Sequence, residues 1–414
     1  MISLDVTTRR LSLNPREPAF YTDPYAAYAR IHAEGPVWFW EQLGLWCFFG
    51  YRDVNRLLRD RRFGREILHV GTREELGLPK PLPHTAAFDR LDANSLLERE
   101  PPVHTRLRSL ISRAFVPRRV ESLRPAIEAL AHELIDAFPV GVDGTAPFDL
   151  IESYATPIPV RIIARMLGVP ETFAPQLLSW SHDMVAMYGV ARDRQVEDRA
   201  NGAAAAFDAF VRTLVAERRA SPGDDLLSVL IDAEQDGERL TEDELVSTVI
   251  LLLNAGHEAT VHALGNAVRL VLQHGVDMPH VIRDEVALAT LVEEALRAAP
   301  PLHLFKRYVL VDTEERGIAL KKGEQIALIL GATGHDPHIT ACPMHFDPQR
   351  APVHHTSFGA GIHFCVGAPL ARLELQSALR VLFTRCPQLS LAERSEPRDS
   401  WHFHGVSRLM VVQQ

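Results

Sequence analysis

Ten residues near the C-terminus, Phe358-Gly-Ala-Gly-Ile-His-Phe-Cys-Val-Gly367, carry the densest chemical signal in the chain. Three glycines around one cysteine permit tight backbone turns and leave peptide N–H groups able to face a sulfur atom. A helical pattern begins at Ala368, which puts Cys365 near a positive helix terminus where thiolate is favoured. A thiolate surrounded by N–H donors is a soft, tunable metal ligand. The competing reading of a lone cysteine, a small buried apolar residue, does not account for the glycines. A second signal is Ala255-Gly-His-Glu-Ala-Thr260, inside a strongly apolar run. There Gly256 weakens a helix by about 1 kcal/mol and Glu258 places a charge among apolar neighbours, costs that persist where they serve a purpose.

The elements that must hold these groups follow from capping and periodicity. Thr241-Glu-Asp-Glu244 fits a capping box and Gly275 a C-terminal cap, so a helix runs from about Thr241 to His274. At 1.5 Å per residue its roughly 34 residues reach about 50 Å. Residues 100–300 are otherwise mostly helical in pattern, broken at proline and glycine. Pro36–Trp40 and Leu45–Phe49 read as a β-hairpin turning at Gly44; Ile318–Leu320 and Gln325–Ile329 read as a second, turning at Lys321–Gly323. Residues 66–97 read as a long irregular, functional loop. No repeat, linker or low-complexity tract marks a domain boundary. The fold class is mainly α with a small β region.

The decapeptide resembles the signature of the cytochrome P-450 family, the haem-thiolate monooxygenases, at Phe358, Gly359, Gly361, His363, Cys365 and Gly367. Glu294-Ala-Leu-Arg297 is similar to the family's Glu-x-x-Arg pair, and Phe346-Asp-Pro-Gln-Arg350 to the segment whose arginine, Arg350, joins it. Tyr21–Tyr25, the first hairpin and Pro101–Arg108 also resemble bacterial members, so the likeness runs from about residue 15 onward. It implies one haem-enclosing domain over 1–414, with 15–60 and 305–330 forming the β region. Haem b would be bound by Cys365 as metal ligand, with Phe358, Gly359 and Gly367 around it. Its propionates would meet His104, Arg108, Arg307 and His363. Glu258 and Thr260 would serve proton delivery, and Gly256 would leave room for dioxygen. The usual alcohol position is Ala259; Thr260 points about 100° away on the helix. A substrate bringing its own polar group is therefore expected. Ala255, Ala259, His303 and Phe305 are candidate substrate contacts, with framework packing the alternative for the last two. His257 is expected to face away from the reaction. Gly334 and His335 replace the Asn-Arg of many relatives, which predicts an altered local network near Glu294.

The resemblance implies oxidation of a small organic substrate, as in natural-product tailoring. Oxidative coupling or desaturation, or a haem sensor without turnover, are the alternatives. The Gly256–Ala259 segment lacks the Arg-Pro pair of peroxide-driven relatives. Electrons would come from a separate ferredoxin and its reductase. Residues 104–124 hold six arginines and one acid, a net of +5 in a chain of −9. Arg106, Arg113, Arg118 and Arg119 are thus candidates for docking an acidic ferredoxin. The overall charge argues against nucleic-acid binding. The four cysteines form no CxxC pair, and no run approaches the ~20 apolar residues of a membrane span. A cytoplasmic protein without a membrane anchor is expected.

Overall fold

The computed structural model describes residues 2–112, 115–139, 146–189, 192–235 and 238–413. Two compact units emerge, each discontinuous in sequence: 1–63, 124–158 and 259–414 form the first; 64–123 and 159–258 form the second.

In the first unit a mixed sheet contains strands β1 (Ser3–Asp5), β2 (Arg10–Ser12), β3 (Val37–Trp40), β4 (Leu45–Phe48), β5 (Phe63–Gly64), β6 (Phe305–Val309) and β7 (Gln325–Leu328). Their order is β1-β2-β3-β4-β7-β6-β5. Strand alternation sends successive side chains to opposite faces. Trp38, Trp40, Ala327 and Ile329 join one buried cluster with Tyr28 and Trp401. Val37, Phe48, Ile326 and Leu328 join another with Leu57 and Leu320. Burial on both sides explains the near-continuous apolar runs in β3 and β4.

The first hairpin forms as expected, Val37–Trp40 against Leu45–Phe48, with Gly44 at φ 66°. The second does not. Ile318–Leu320 pairs instead with Thr313–Glu315 around Arg316 and Gly317, both at positive φ. Gln325–Leu328 pairs antiparallel with Phe305–Val309 and parallel with Leu45–Phe48. The positive-φ pair at Arg316-Gly317 sets the tight hairpin, and the Lys321–Gly323 turn hands the chain to a different sheet. Residues 66–97 are also less irregular than expected, since Ala86–Ala93 is helical.

The long helix spans Glu242–Gln273. Its capping box is reciprocal: the Glu244 N–H donates to Thr241 Oγ1 at 3.2 Å, and the Thr241 N–H to Glu244 Oε2 at 2.9 Å. At the other end the Val276 N–H donates to the Val271 carbonyl at 3.1 Å, and Gly275 takes φ 59°, a Schellman-type ending. No helix among the described residues is long and apolar enough to cross a membrane.

Candidate active site

The cysteine loop belongs to the first unit. The Cys365 N–H donates to the Phe358 carbonyl at 3.0 Å, closing the turn, and the thiol is exposed just ahead of helix Ala368–Arg385. Gly359 and Gly361 take φ 68° and 72°, left-handed conformations that side chains rarely adopt, and a Cβ on Gly361 would also collide with the Leu58 carbonyl. A Cβ on Gly359 would stand 3.5 Å from the Phe305 ring, so Phe305 lies against this loop. Arg307 is buried one strand step further on; it donates to the Lys306 carbonyl at 2.9 Å and stacks on Phe305 at 5.5 Å.

A brace behind the loop had no signature in the sequence. Arg372, in the helix after Cys365, lies over the Phe358 ring at 4.5 Å. It grips Glu293 through two bonds of 2.6 and 2.9 Å, and His355 meets the same carboxylate at 3.2 Å. These cationic partners outweigh burial and hold the Glu293 carboxyl down at about 2. The same hydrogen bond to Glu293, with a smaller contribution from nearby Cys365, raises Arg372 above its ordinary value.

The Glu294–Arg297–Arg350 triad that the resemblance implied is formed. Arg297 holds Glu294 at 2.6 and 2.8 Å, and Arg350 Nε reaches Glu294 Oε1 at 3.2 Å. Arg297 also donates to the carbonyls of Gly334, Pro343 and His345. The replaced Asn-Arg pair has a steric logic: a Cβ at Gly334 would collide with the Arg297 carbonyl oxygen. His335 Nε2 donates to the Ala298 carbonyl at 3.0 Å.

His303 does not reach a substrate surface. It is fully buried, with Nδ1 at 2.9 Å from the Tyr28 hydroxyl and Nε2 at 3.1 Å from the Pro300 carbonyl, so both ring nitrogens serve the framework. Burial drives its imidazole well below the ordinary value.

The second unit carries the acid. Glu258 is 3% exposed; His182 Nε2 on helix Ala174–Val185 approaches its Oε2 to 3.4 Å, and His257 Nε2 lies 4.0 Å from the same oxygen. His257 is buried, with Nδ1 at 2.7 Å from the Leu253 carbonyl. A Cβ on Gly256 would stand 2.9 Å from Ile163 Cγ1 of helix Pro157–Met166, so close helix packing also asks for glycine here. Along the long helix Leu251, Ala255 and Ala259, four residues apart, keep accessible surface while Thr260 is buried. They form one accessible apolar line on a helix whose middle is otherwise largely covered.

His104 and Arg108 sit one turn apart on helix Val103–Ser112, His104 buried and Arg108 half-buried. Arg106 is not left for docking: its guanidinium pairs with Glu244 and the Arg239 carbonyl, reinforcing the start of the long helix. Arg118 is exposed and Arg119 half-exposed; Arg113 lies outside the described residues.

Comparison with known proteins matches residues 286–410 to the family model described as Cytochrome P450. The 6-deoxyerythronolide B hydroxylase of Saccharopolyspora erythraea is 36% identical over 399 residues, covering 95% of this chain and 96% of that protein. The polyketide biosynthesis cytochrome P450 PksS of Bacillus subtilis is 33% identical, covering 92% and 93%. The crystal structure of P450BioI with an acyl carrier protein bearing hexadec-9Z-enoic acid superposes with a TM-score of 0.87 at 33% identity, covering 96% of this chain and all of that one. The chain belongs to the cytochrome P450 family.

P450 enzymes bind haem b through a cysteine thiolate, and the residues present fit that group. This P450 offers an exposed thiol in a loop closed by its own backbone, next to a helix N-terminus. A Cβ on Gly367 would lie 3.9 Å from Cys365 Sγ, in ordinary contact, so this glycine stands beside the sulfur. Arg307 and the imidazole of His363 belong to the same unit and are chemically suited to carboxylates; His104 and Arg108 offer the same donor types in the other. The enzyme is a P450 monooxygenase, an oxidoreductase acting with molecular oxygen. His182, Glu293 and Arg372 escaped the sequence reading.

Proposed function

We propose that this P450 inserts an oxygen atom from O₂ into a small organic substrate of natural-product type that carries its own hydroxyl or carbonyl, with electrons from a ferredoxin and its reductase. The observation that carries the reading is Glu258, a carboxylic acid at 3% exposure followed by Ala259 where the alcohol would stand. The names of the polyketide-related relatives support the substrate class.

Haem, bound by Cys365, supplies dioxygen activation. The chain supplies the rest. Arg307 and His363, with His104 and Arg108, would anchor the propionates. Glu258 would supply the proton that leaves from its carboxyl toward the reacting oxygen. With no hydroxyl at Ala259, a polar group on the substrate holds the last proton position. The accessible line Leu251, Ala255, Ala259 gives an apolar face for the substrate body, and Phe305 a second apolar contact. Arg118 and Arg119 would receive an acidic ferredoxin.

The test is Ala259→Thr, scored as product formed per NAD(P)H consumed across compounds selected by their spectral shift on the ferric enzyme. The reading expects altered coupling that depends on the substrate's polar group. Uniformly improved coupling with unchanged substrate range refutes it. Oxygen-18 in the product from labelled O₂ distinguishes insertion from coupling or desaturation.

A further inference from the structure

We infer that His182 is the proton entry of this enzyme, an imidazole that carries protons from bulk water to Glu258, with His257 positioning the carboxylate between them. The inference rests on the proposed role of Glu258.

Glu258 is buried on a helix whose preceding turns, with Val249, Ile250, Leu252 and Leu253, are buried as well. A group that gives up a proton in every turnover must regain one, and a route from bulk water is needed. His182 provides it. Its side chain is 49% exposed, yet Nε2 lies 3.4 Å from Glu258 Oε2. One residue thus touches both water and the buried acid. Imidazole suits the task because it has two nitrogens and changes protonation near neutral pH. The step balances as a proton transfer. His182 takes a proton from water to become imidazolium, passes its Nε2 proton to the Glu258 carboxylate and returns to the neutral form. The half-exposed ring then turns to reset.

His257 completes the arrangement. A carbonyl oxygen can only accept, so Nδ1, at 2.7 Å from the Leu253 carbonyl, carries the hydrogen. In the neutral ring Nε2 then presents a lone pair, 4.0 Å from Glu258 Oε2. His257 thus turns an acceptor, not a competing donor, toward the carboxyl that His182 serves. The two imidazoles flank the acid with ring centres 6.4 Å apart. The other charged group beside His182 on its helix, Asp183, is engaged by Arg199 at 3.4 Å and does not compete for the imidazole.

The three side-chain donor atoms lie within 4.8 Å of one another, which supplies a readout independent of turnover. Zn²⁺ titrated into the wild-type holoenzyme by calorimetry should fill one site that is lost in His182→Gln and in Glu258→Gln. An unchanged stoichiometry in both variants overturns the geometry. For the relay itself, His182→Gln and Glu258→Gln are compared in the holoenzyme with a surrogate ferredoxin. His182→Gln should keep the carbon monoxide spectrum and the substrate-induced shift, lose at least about tenfold in coupled turnover, and show a larger solvent deuterium isotope effect. Lost turnover with an unchanged isotope effect marks His182 as a structural latch and refutes the relay. Unchanged turnover in His182→Gln beside a collapse in Glu258→Gln refutes the relay while the acid survives. Unchanged turnover in Glu258→Gln removes the acid and the relay together.

Discussion

Glu374, on the helix that follows the cysteine loop, is buried among Leu370, Leu373, Ala378 and Leu379, and neither carboxylate oxygen has a hydrogen-bond partner among the described residues. Desolvation alone pushes its carboxyl from the ordinary 4.5 up to about 8. The folded protein therefore keeps a proton that the unfolded chain releases above pH 4.5, so stability contributed at low pH is lost as pH rises toward 8. From pH 5 to pH 7 the loss amounts to about 2.5 kcal/mol, close to the limiting slope of about 1.4 kcal/mol per pH unit. Glu374→Gln has the same shape and no titration, so only a constant offset from the buried amide remains. Urea unfolding of the haem-loaded wild type and variant, followed by far-ultraviolet circular dichroism at pH 5, 6 and 7, gives the difference directly. The background of other titrating groups cancels in that difference. The expected result is a variant that gains on the wild type by about 2.5 kcal/mol across the window. Parallel curves with a fixed gap refute the reasoning, because they mean that Glu374 ionises in the fold at its ordinary pH.

The buried histidines act with the opposite sign. His335 and His404 are held down to about 3 by burial, so their stabilisation is complete above about pH 6.5 and drains away as pH falls toward 3, each by up to about 1.4 kcal/mol per pH unit; an acid transition that becomes shallower in His335→Asn checks this. Gly334→Ala, with an allowed φ of −67° but a methyl aimed at the Arg297 carbonyl, should cost about 1–3 kcal/mol, read as a lower urea midpoint at unchanged slope. Arg372→Lys gives up the two-pronged grip on Glu293 and the stack on Phe358, an expected loss of about 1–3 kcal/mol; thermal melting and the fraction of thiolate-ligated haem in the carbon monoxide spectrum report it.

Local chemistry was legible from the residues and non-local partnership was not. Thr241 and Glu244 are three apart, and the capping box they suggest forms with both bonds. The first hairpin likewise needs only its own two strands and Gly44. The second hairpin failed because Gln325–Leu328 finds its partners at residues 305–309 and 45–48, which no turn signal reveals. Within the site, Cys365 and the Glu294–Arg297 pair sit on short motifs and were visible. His182 was not, since it meets Glu258 only by the packing of two separate helices. Arg106 and Gly256 show a related limit: charge and small size are readable, but whether they face solvent, a partner or another helix depends on what packs beside them.

The parallel pairing of β4 with β7 has a consequence for biosynthesis. Trp46 and Ile326 are neighbours in the sheet although about 280 residues separate them in the chain. At ribosomal rates of about 5–20 residues per second, β4 waits roughly 15–55 s for its partner to emerge. Throughout that interval the nascent chain displays an open strand edge flanked by Trp38, Trp40 and Phe48. The protein thus depends on its last hundred residues to protect its first fifty, and any stalled or truncated product ending before Gln325 is a natural client for chaperones and a ready seed for aggregation.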